Sequence, residues 1–494
     1  MAPPPPGAPA APIDLGVDRP ADTKIALLCL AIGLATDLAV RSGFVGLAGA
    51  LLPVAAAAVL WATRVAHRRS ASVVLAGVPL FAFWLMARRS EWLLPLDVLA
   101  AATLLWMDAS LARGGRVFDQ TVPALLTRGA EAVVHGFAAP GFLAPVLRGR
   151  ESNRSPIAPV LRGLLLMAPF LVLVTVLLRS ADAVFAQLVE LPAPVDLVGH
   201  VVLVVVGAWT MAGLLRLASA RPLQIGGSST RFLGPTEAVS ALAALVLLYG
   251  VFALTQVVVL AGGEAHVLRT TGLTFAEYAR SGFFQLLAVA TLTLLLLSVL
   301  RAVVRNGSAL QRRAFLVLAE VAIVLTLAIV AVAVRRLHLY EQSYGLTMLR
   351  LASTAFALWI GAVFLLLGAR YAGAVRDRQW LVPAAAVAGG LVLLFLNVVN
   401  AEAVVVRRNV TNFEQTGRFD AYYAAKLSDD AVPALVAALP RLTPNDRAAV
   451  LTHVCGGATR AEGGLWAFNT GRAAAVEART SVCPPSSLSG AAPR

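Results

Sequence analysis

Few side chains in this sequence stand at the spacings that familiar chemistry requires. The six histidines (His67, His135, His200, His266, His338 and His453) form no HExxH or HxxxH pair, and the three cysteines form no CxxC. Zinc-type hydrolysis and thiol redox chemistry therefore have no motif behind them. Lys24 follows Thr23 and Lys426 follows Ala425, which leaves no Gly-Lys-Ser/Thr phosphate loop. Ser228, Ser229 and Thr230 follow two glycines but lack a G-x-S-x-G elbow or a paired base, so they read as an inner loop. Gly43-x-x-Gly46-x-x-Gly49 has no strand before it and reads as a site of close helix approach. Asn409-Val-Thr411 fits a glycosylation pattern by accident. We expect no catalytic residues, no metal and no cofactor.

What remains is acidic side chains inside apolar runs. Asp37, Asp97, Asp108 and Glu320 each interrupt a stretch long enough to cross a bilayer. Charge in hydrocarbon is costly, so each is a candidate for coupling a proton or cation, with Glu320 the foremost. The competing reading pairs them with arginines, as Asp97 with Arg88 or Arg89, and makes His200 a hydrogen-bonded structural residue.

The elements that would hold these residues follow from composition. Apolar residues make up 59 % of the 494 and charged residues only 14 %, with a mean hydropathy of +0.78. Ordinary soluble chains have about 45–50 % and 25 %. The expected class is all-α, a polytopic helical membrane bundle. A span needs about 20 apolar residues, which gives about 11 spans near 25–40, 43–63, 71–87, 92–111, 160–178, 196–215, 237–260, 281–300, 314–334, 350–369 and 380–399. Pro53, Pro79 and Pro169 should kink three of them.

The net charge of +14 invites a nucleic-acid reading until the charges are placed. With the N-terminus inside, 22 of the 41 basic residues lie on the inner side, 9 in outer loops and 10 after the last span. This bias is a topology signal. It implies a cell-membrane protein with its N-terminus cytoplasmic and its C-terminus extracytoplasmic, in contact with the lipid bilayer and with no nucleic acid.

Five regions result: a disordered Pro/Ala tail (1–23), four spans (24–111), a basic cytoplasmic loop (112–159), a seven-span core (160–399) and a small helical extracytoplasmic domain (400–494). The tail lacks a secretory signal's charged start and cleavage site. In the basic loop, Leu125, Leu126, Val133, Val134 and Phe137 suit one face of a surface helix on an anionic leaflet. In the last region, Ser428 and Thr443-Pro444 punctuate helices. Thr274-Phe-Ala-Glu277 matches a capping box. Cys455 and Cys483 fall together on the oxidising side and are expected to form a disulfide worth about 3 kcal/mol, leaving Cys29 a buried thiol.

The segments SADAVFAQ (180–187), FAEYARSGFFQLLAVATLTL (275–294), YEQSYGLTMLRL (340–351), NAEAVVVRRNV (400–410) and GRFDAYYAAKLSDDAVPAL (417–435) resemble the bacterial multi-pass membrane family called domain of unknown function 4173, related to a 4153 set. The resemblance covers roughly 160–440 and implies an inner-membrane protein without assigned chemistry.

In the charge-derived topology these strings share the outer side. They carry a candidate cluster: Asp182, Glu277, Tyr278, Arg280, Tyr340, Glu341, Tyr344, Arg350, Arg408 and Asp420. Planar guanidinium groups there would either pair with the acids or grip an external carboxylate or phosphate. The leading functional expectation is a non-enzymatic, receptor-like or regulatory module with an outer-face site for an envelope ligand or protein partner. Alternatives are a secondary transporter using Glu320, and a membrane enzyme acting on lipid-linked substrates. The transporter lacks a visible internal repeat, and the enzyme lacks a long acidic first outer loop.

Overall fold

The computed structural model describes residues 16–17, 20–63, 69–112, 114–148, 174, 178, 194–221, 233–271, 282–305, 307–373, 380–456 and 464–484. Among these, regular structure is helical, and β-type pairing is confined to isolated bridges such as Leu233 with Val304. Eight helices are long and apolar enough to cross a membrane: Thr23–Arg41, Leu94–Leu111, Gly199–Ser219, Pro235–Val258, Phe283–Arg301, Ala309–Tyr344, Met348–Tyr371 and Leu381–Val399.

Eight is fewer than hydropathy alone suggests, and the difference has local causes. The expected span at 43–63 starts late because Gly43 and Phe44 take left-handed conformations, so its helix covers only Leu47–Ala62. The one at 71–87 breaks at Gly77 into Arg69–Ala76 and Val78–Ala87. The span at 160–178, with Pro169, lies outside the described residues, as does the Thr274–Glu277 box.

The chain forms two compact units. The first comprises residues 1–87, 95–225 and 461–470. Its described helices are α1 (Thr23–Arg41), α2 (Leu47–Ala62), α3 (Arg69–Ala76), α4 (Val78–Ala87), α5 (Leu94–Leu111), α6 (Val122–Phe137), α7 (Ala139–Arg148) and α8 (Pro194–Ser219). Helices α1 and α8 cross closely through small residues. A Cβ on Gly33 would meet the Val204 carbonyl at 2.2 Å, and one on Gly207 would meet Thr36 Oγ1 at 2.2 Å. Without hydrophobic drive between helices in lipid, such close approach supplies the packing. Of the three glycines expected to mark close helix approach, Gly46 lies against the 466–467 backbone, Gly49 meets only the Phe44 carbonyl at the entry to its own helix, and Gly43 has nothing within 4 Å.

The second unit comprises residues 88–94, 226–460 and 471–494. It contains α9 (Pro235–Thr271), α10 (Phe283–Val303), α11 (Ala309–Tyr344), α12 (Met348–Tyr371) and α13 (Leu381–Val399). Its core joins Leu242, Leu297, Ala319, Ile323, Ile360 and Phe364. Polar side chains inside are satisfied locally: Tyr249 bonds Thr293 at 2.6 Å, and Tyr371 donates to the Leu297 carbonyl. Outward faces show Leu247, Leu254, Val324, Leu365 and Phe395 well exposed. Those exposed faces belong against acyl chains.

After α13 the chain turns on Asn400, held in the left-handed region at φ 55°. Asparagine tolerates that conformation and caps α14 (Ala401–Thr416) by accepting from Ala403. Short helices follow: α15 (Ala421–Ala425), α16 (Val432–Ala438), α17 (Pro444–Gly456) and α18 (Thr470–Thr480). Ser428 caps the turn leading into α16, and Thr443 caps α17, both as the sequence indicates. Val406, Val410, Leu435, Val450 and Ala475 pack together beneath a disulfide between Cys455 and Cys483, and Cys29 is a buried free thiol.

Non-reducing peptide mapping should recover Cys455 joined to Cys483. Replacing both by serine should lower the stability of α14–α18 by about 3 kcal/mol, seen as earlier proteolysis within 400–484. Two alkylatable thiols in the non-reduced protein would contradict the bond.

Candidate functional site

Six of the ten side chains expected to form an outer cluster lie among the described residues. Asp182, Glu277, Tyr278 and Arg280 lie outside the described residues. Tyr340, Glu341, Tyr344 and Arg350 gather at the α11–α12 turn, where α11 stops at Gly345. This glycine has φ 77°, and a Cβ on it would stand 2.9 Å from Asn409 Oδ1, so position and conformation both demand glycine. Arg350 stacks over the Tyr340 ring at 4.2 Å and donates to the carbonyls of Tyr344 and Gly345. Its guanidinium is therefore spent on the last carbonyls of α11, a favourable place for a cation.

Two side chains from the helices after α13 clamp the same turn. Asn409 accepts from the Leu346 N–H at 2.6 Å and donates to the Leu346 carbonyl at 2.8 Å. The Tyr423 hydroxyl accepts from the Met348 N–H at 2.7 Å. Glu341 lies within electrostatic reach of His338, Arg350 and Arg408, and its Oε1 has no hydrogen-bond partner. Asp420 caps α15 by accepting from Tyr423. Its place is in helix termination rather than in an arginine pair.

A second polar nest lies beneath, built by residues that motif reasoning did not single out. Glu402, 3 % exposed, accepts from the N–H and hydroxyl of Ser428, both at 2.7 Å. Asp430, also 3 % exposed, accepts from the N–H groups of Arg89 and Ser90 at 2.8 and 3.0 Å. Asp429 pairs with Arg89 and with the buried Arg479. Arg88 donates to the carbonyls of Asn397 and Val398 at the end of α13. Glu402 and Asn409 sit in the string NAEAVVVRRNV, where Glu402, the one acid in the string, flanked by alanines, was the available signal.

Burial pushes the Asp430 carboxyl up to about 6, with Glu402 adding to the rise and the Arg89 and Ser90 amides opposing it. Between α14 and α16 a groove of about 460 Å³ opens, walled by Ala403, Val406, Val410 and Pro433 and flanked by Arg407 and Arg441. Arg407 is exposed, whereas Arg441 pairs with Glu414 at 2.6 Å.

The intramembrane acids divide. Asp37 is paired, with His200 at 2.5 Å and Arg41 at 3.0 Å, as a structural reading predicts. Asp97 and Asp108 are each 1 % exposed within unit one. Glu320 stands beside Gly368 of α12 with its Oε1 buried and without a hydrogen-bond partner. Among the described residues no group of three His, Cys, Asp or Glu is placed to hold a metal.

Asp430 yields a signed pH dependence. The folded state holds its proton more tightly than the unfolded state does, so this group favours folding most below about pH 4. That contribution fades as pH rises to about 6, a loss of about 3 kcal/mol from the shift. Asp430→Asn keeps an oxygen for both amides and removes the charge. It should match or exceed the parent's melting temperature at pH 7 and lose that advantage at pH 4. Asp430→Ala strands two buried N–H groups and should cost about 1–3 kcal/mol for each at any pH. Equal pH profiles for parent and Asp430→Asn would remove the carboxylate from this role.

A family profile matches residues 25–438, from the start of α1 to the end of α16. It describes a domain of unknown function, DUF4153, rather than the related 4173 set that the shared strings suggest. The first four expected spans are thus part of the family domain and not an addition to it. No curated protein and no solved structure matches the chain. Since the profile covers most of the chain, this helical membrane protein belongs to the DUF4153 family.

Proposed function

We propose that the chain is a non-enzymatic, receptor-like or regulatory module of the cell membrane. In this reading it has about 11 crossings, a cytoplasmic N-terminus and an extracytoplasmic C-terminal domain, and it binds an envelope ligand there. The supporting observation is the groove between α14 and α16. Its walls are mostly small and apolar, Asn400 and Asp430 also line it, and Arg407 stands exposed at its lip. Apolar walls with few polar groups are the usual make-up of a small-molecule site, and an exposed guanidinium selects carboxylate or phosphate. An amphipathic anion fits both. Arg350 and Asn409 support the reading indirectly, since they hold the α11–α12 turn against α14 and leave Arg407 and Arg408 outward.

A second reading, a secondary transporter, draws on Glu320. A carboxylate oxygen buried in a span without a hydrogen-bond partner is the group a proton- or cation-coupled carrier would use.

Thermal-shift measurements on the full chain in nanodiscs separate these readings. Dihexanoyl phosphatidylglycerol should raise the melting temperature by several degrees, and inorganic phosphate should do much less. Arg407→Ala should abolish the rise without lowering the ligand-free melting temperature. No shift with the parent protein, or an equal shift with Arg407→Ala, would reject the groove. Proton flux into proteoliposomes that Glu320→Gln abolishes would favour the carrier instead.

Reporter fusions test the orientation. Fusions after 68, 150, 220, 308 and 375 should report cytoplasm, and those after 268, 342 and 420 the exterior. A cytoplasmic signal after 420 would overturn the proposed orientation.

A further inference from the structure

Helix α6 (Val122–Phe137) carries its polarity the wrong way round for a helix in water. Its exposed positions are all apolar, with Leu126 at 70 %, Val133 at 59 % and Phe137 at 78 % exposure, joined by Val122 and Val134. At 100° per residue, Val122, Leu126, Val133 and Phe137 form one stripe. The hydrogen-bonding side chains sit on the opposite side: Thr127, Arg128, Glu131 and His135 are buried or half-buried. Leu125 falls outside the stripe and is half-buried.

The covered face is held by polar contacts within unit one. Arg216 of α8 donates to His135, and the Trp209 indole donates to the Gly136 carbonyl at 2.8 Å. Arg128 donates to the Ser110 carbonyl and hydroxyl at the end of α5. A Cβ on Gly213 would stand 3.2 Å from Gly136 Cα, so the two backbones nearly touch. The C-terminal turn of α6 therefore lies beside the last three turns of α8, a helix apolar enough to cross the membrane.

In water this orientation would expose several large apolar side chains at about 25 cal/mol per Å². Hydrocarbon around the outward face removes that cost. With 16 residues, α6 is about 24 Å long and falls short of a 30 Å core. Unlike the equally short α2, it also carries Arg128 and Glu131 in mid-helix, so it does not cross. We infer that α6, with α7 following after a single residue, is sunk into one leaflet, its apolar stripe against acyl chains. Exposed Arg116 precedes α6, placing a cation where anionic headgroups lie. This placement requires α8 to be a membrane span and holds for either leaflet.

The test is nitroxide accessibility in phosphatidylethanolamine–phosphatidylglycerol vesicles. Cys29 is changed to Ala, the disulfide is kept, and single cysteines replace Leu126, Val133 or Phe137, with exposed Ser481 as a water-facing control. These positions are outward, so labelling leaves the packed face intact, and an unchanged melting temperature confirms it. Oxygen collisions should exceed nickel-chelate collisions at least about threefold at all three α6 positions, and the order should reverse at 481. Nickel dominating at 126, 133 and 137 would place the stripe in water. Immobilised, dipolar-broadened spectra would place it against a second copy. Either result overturns the inference, whereas reversed reporter signals for the loop at 150 would overturn only the orientation.

Discussion

A solvent without hydrogen bonds governs this structure. Inside a bilayer, every backbone N–H and C=O must find a partner within the protein, and helices satisfy that demand along their length. The difficulty is concentrated where helices end. Gly345 and Asn400 mark two such ends, and each is surrounded by side chains that replace the missing partners. Arg350 meets the last carbonyls of α11, Arg88 those of α13, and Asn409 supplies both halves of a backbone pair to Leu346.

The helices after α13 thus have a use beyond their own core. Tyr423 reaches the Met348 amide at the start of α12, and Asp430 reaches the Arg89 and Ser90 amides. Each bond joins residues far apart in sequence. A buried carboxylate with two amide donors is strongly directional, because losing it strands the donors as well as the acid. These contacts explain how a stretch of short helices, each too short to be stable alone, holds one arrangement against the longer helices of its unit.

Much of the helical pattern was legible in the sequence because it depends on local rules. Hydropathy located the long helices. Ser428, Thr443-Pro444 and the paired cysteines announced local structure within a few residues of themselves. The 43–63 and 71–87 windows hold shorter helices than their hydropathy indicates, because hydropathy counts apolar residues without asking whether the backbone stays helical: the left-handed Phe44 delays one helix and Gly77 breaks the other. The polar nest around Glu402 and Asp430 was not legible for the opposite reason. Its partners lie 26 and about 340 residues away, and no periodicity encodes a pairing of that kind. The sequence grouped Arg350 with acids by side of the membrane; the structure puts Glu341 within its electrostatic reach but spends its donors on carbonyls and stacks it on a tyrosine ring.

This last contrast bears on where recognition can occur. A guanidinium that completes a helix end has its donors occupied and its position fixed, so it serves the fold. Arg88, Arg350 and Arg479 all take up backbone carbonyls in this way. Arg407 differs: among the described residues its guanidinium makes a long 3.5 Å bond to the Val399 carbonyl, and it stays exposed at the lip of the groove. In a chain with this many arginines, charge alone does not mark a ligand site. The distinction lies in whether the planar donors are already spent, and by that criterion the groove beside Arg407 is better suited to recognition than the turn around Arg350.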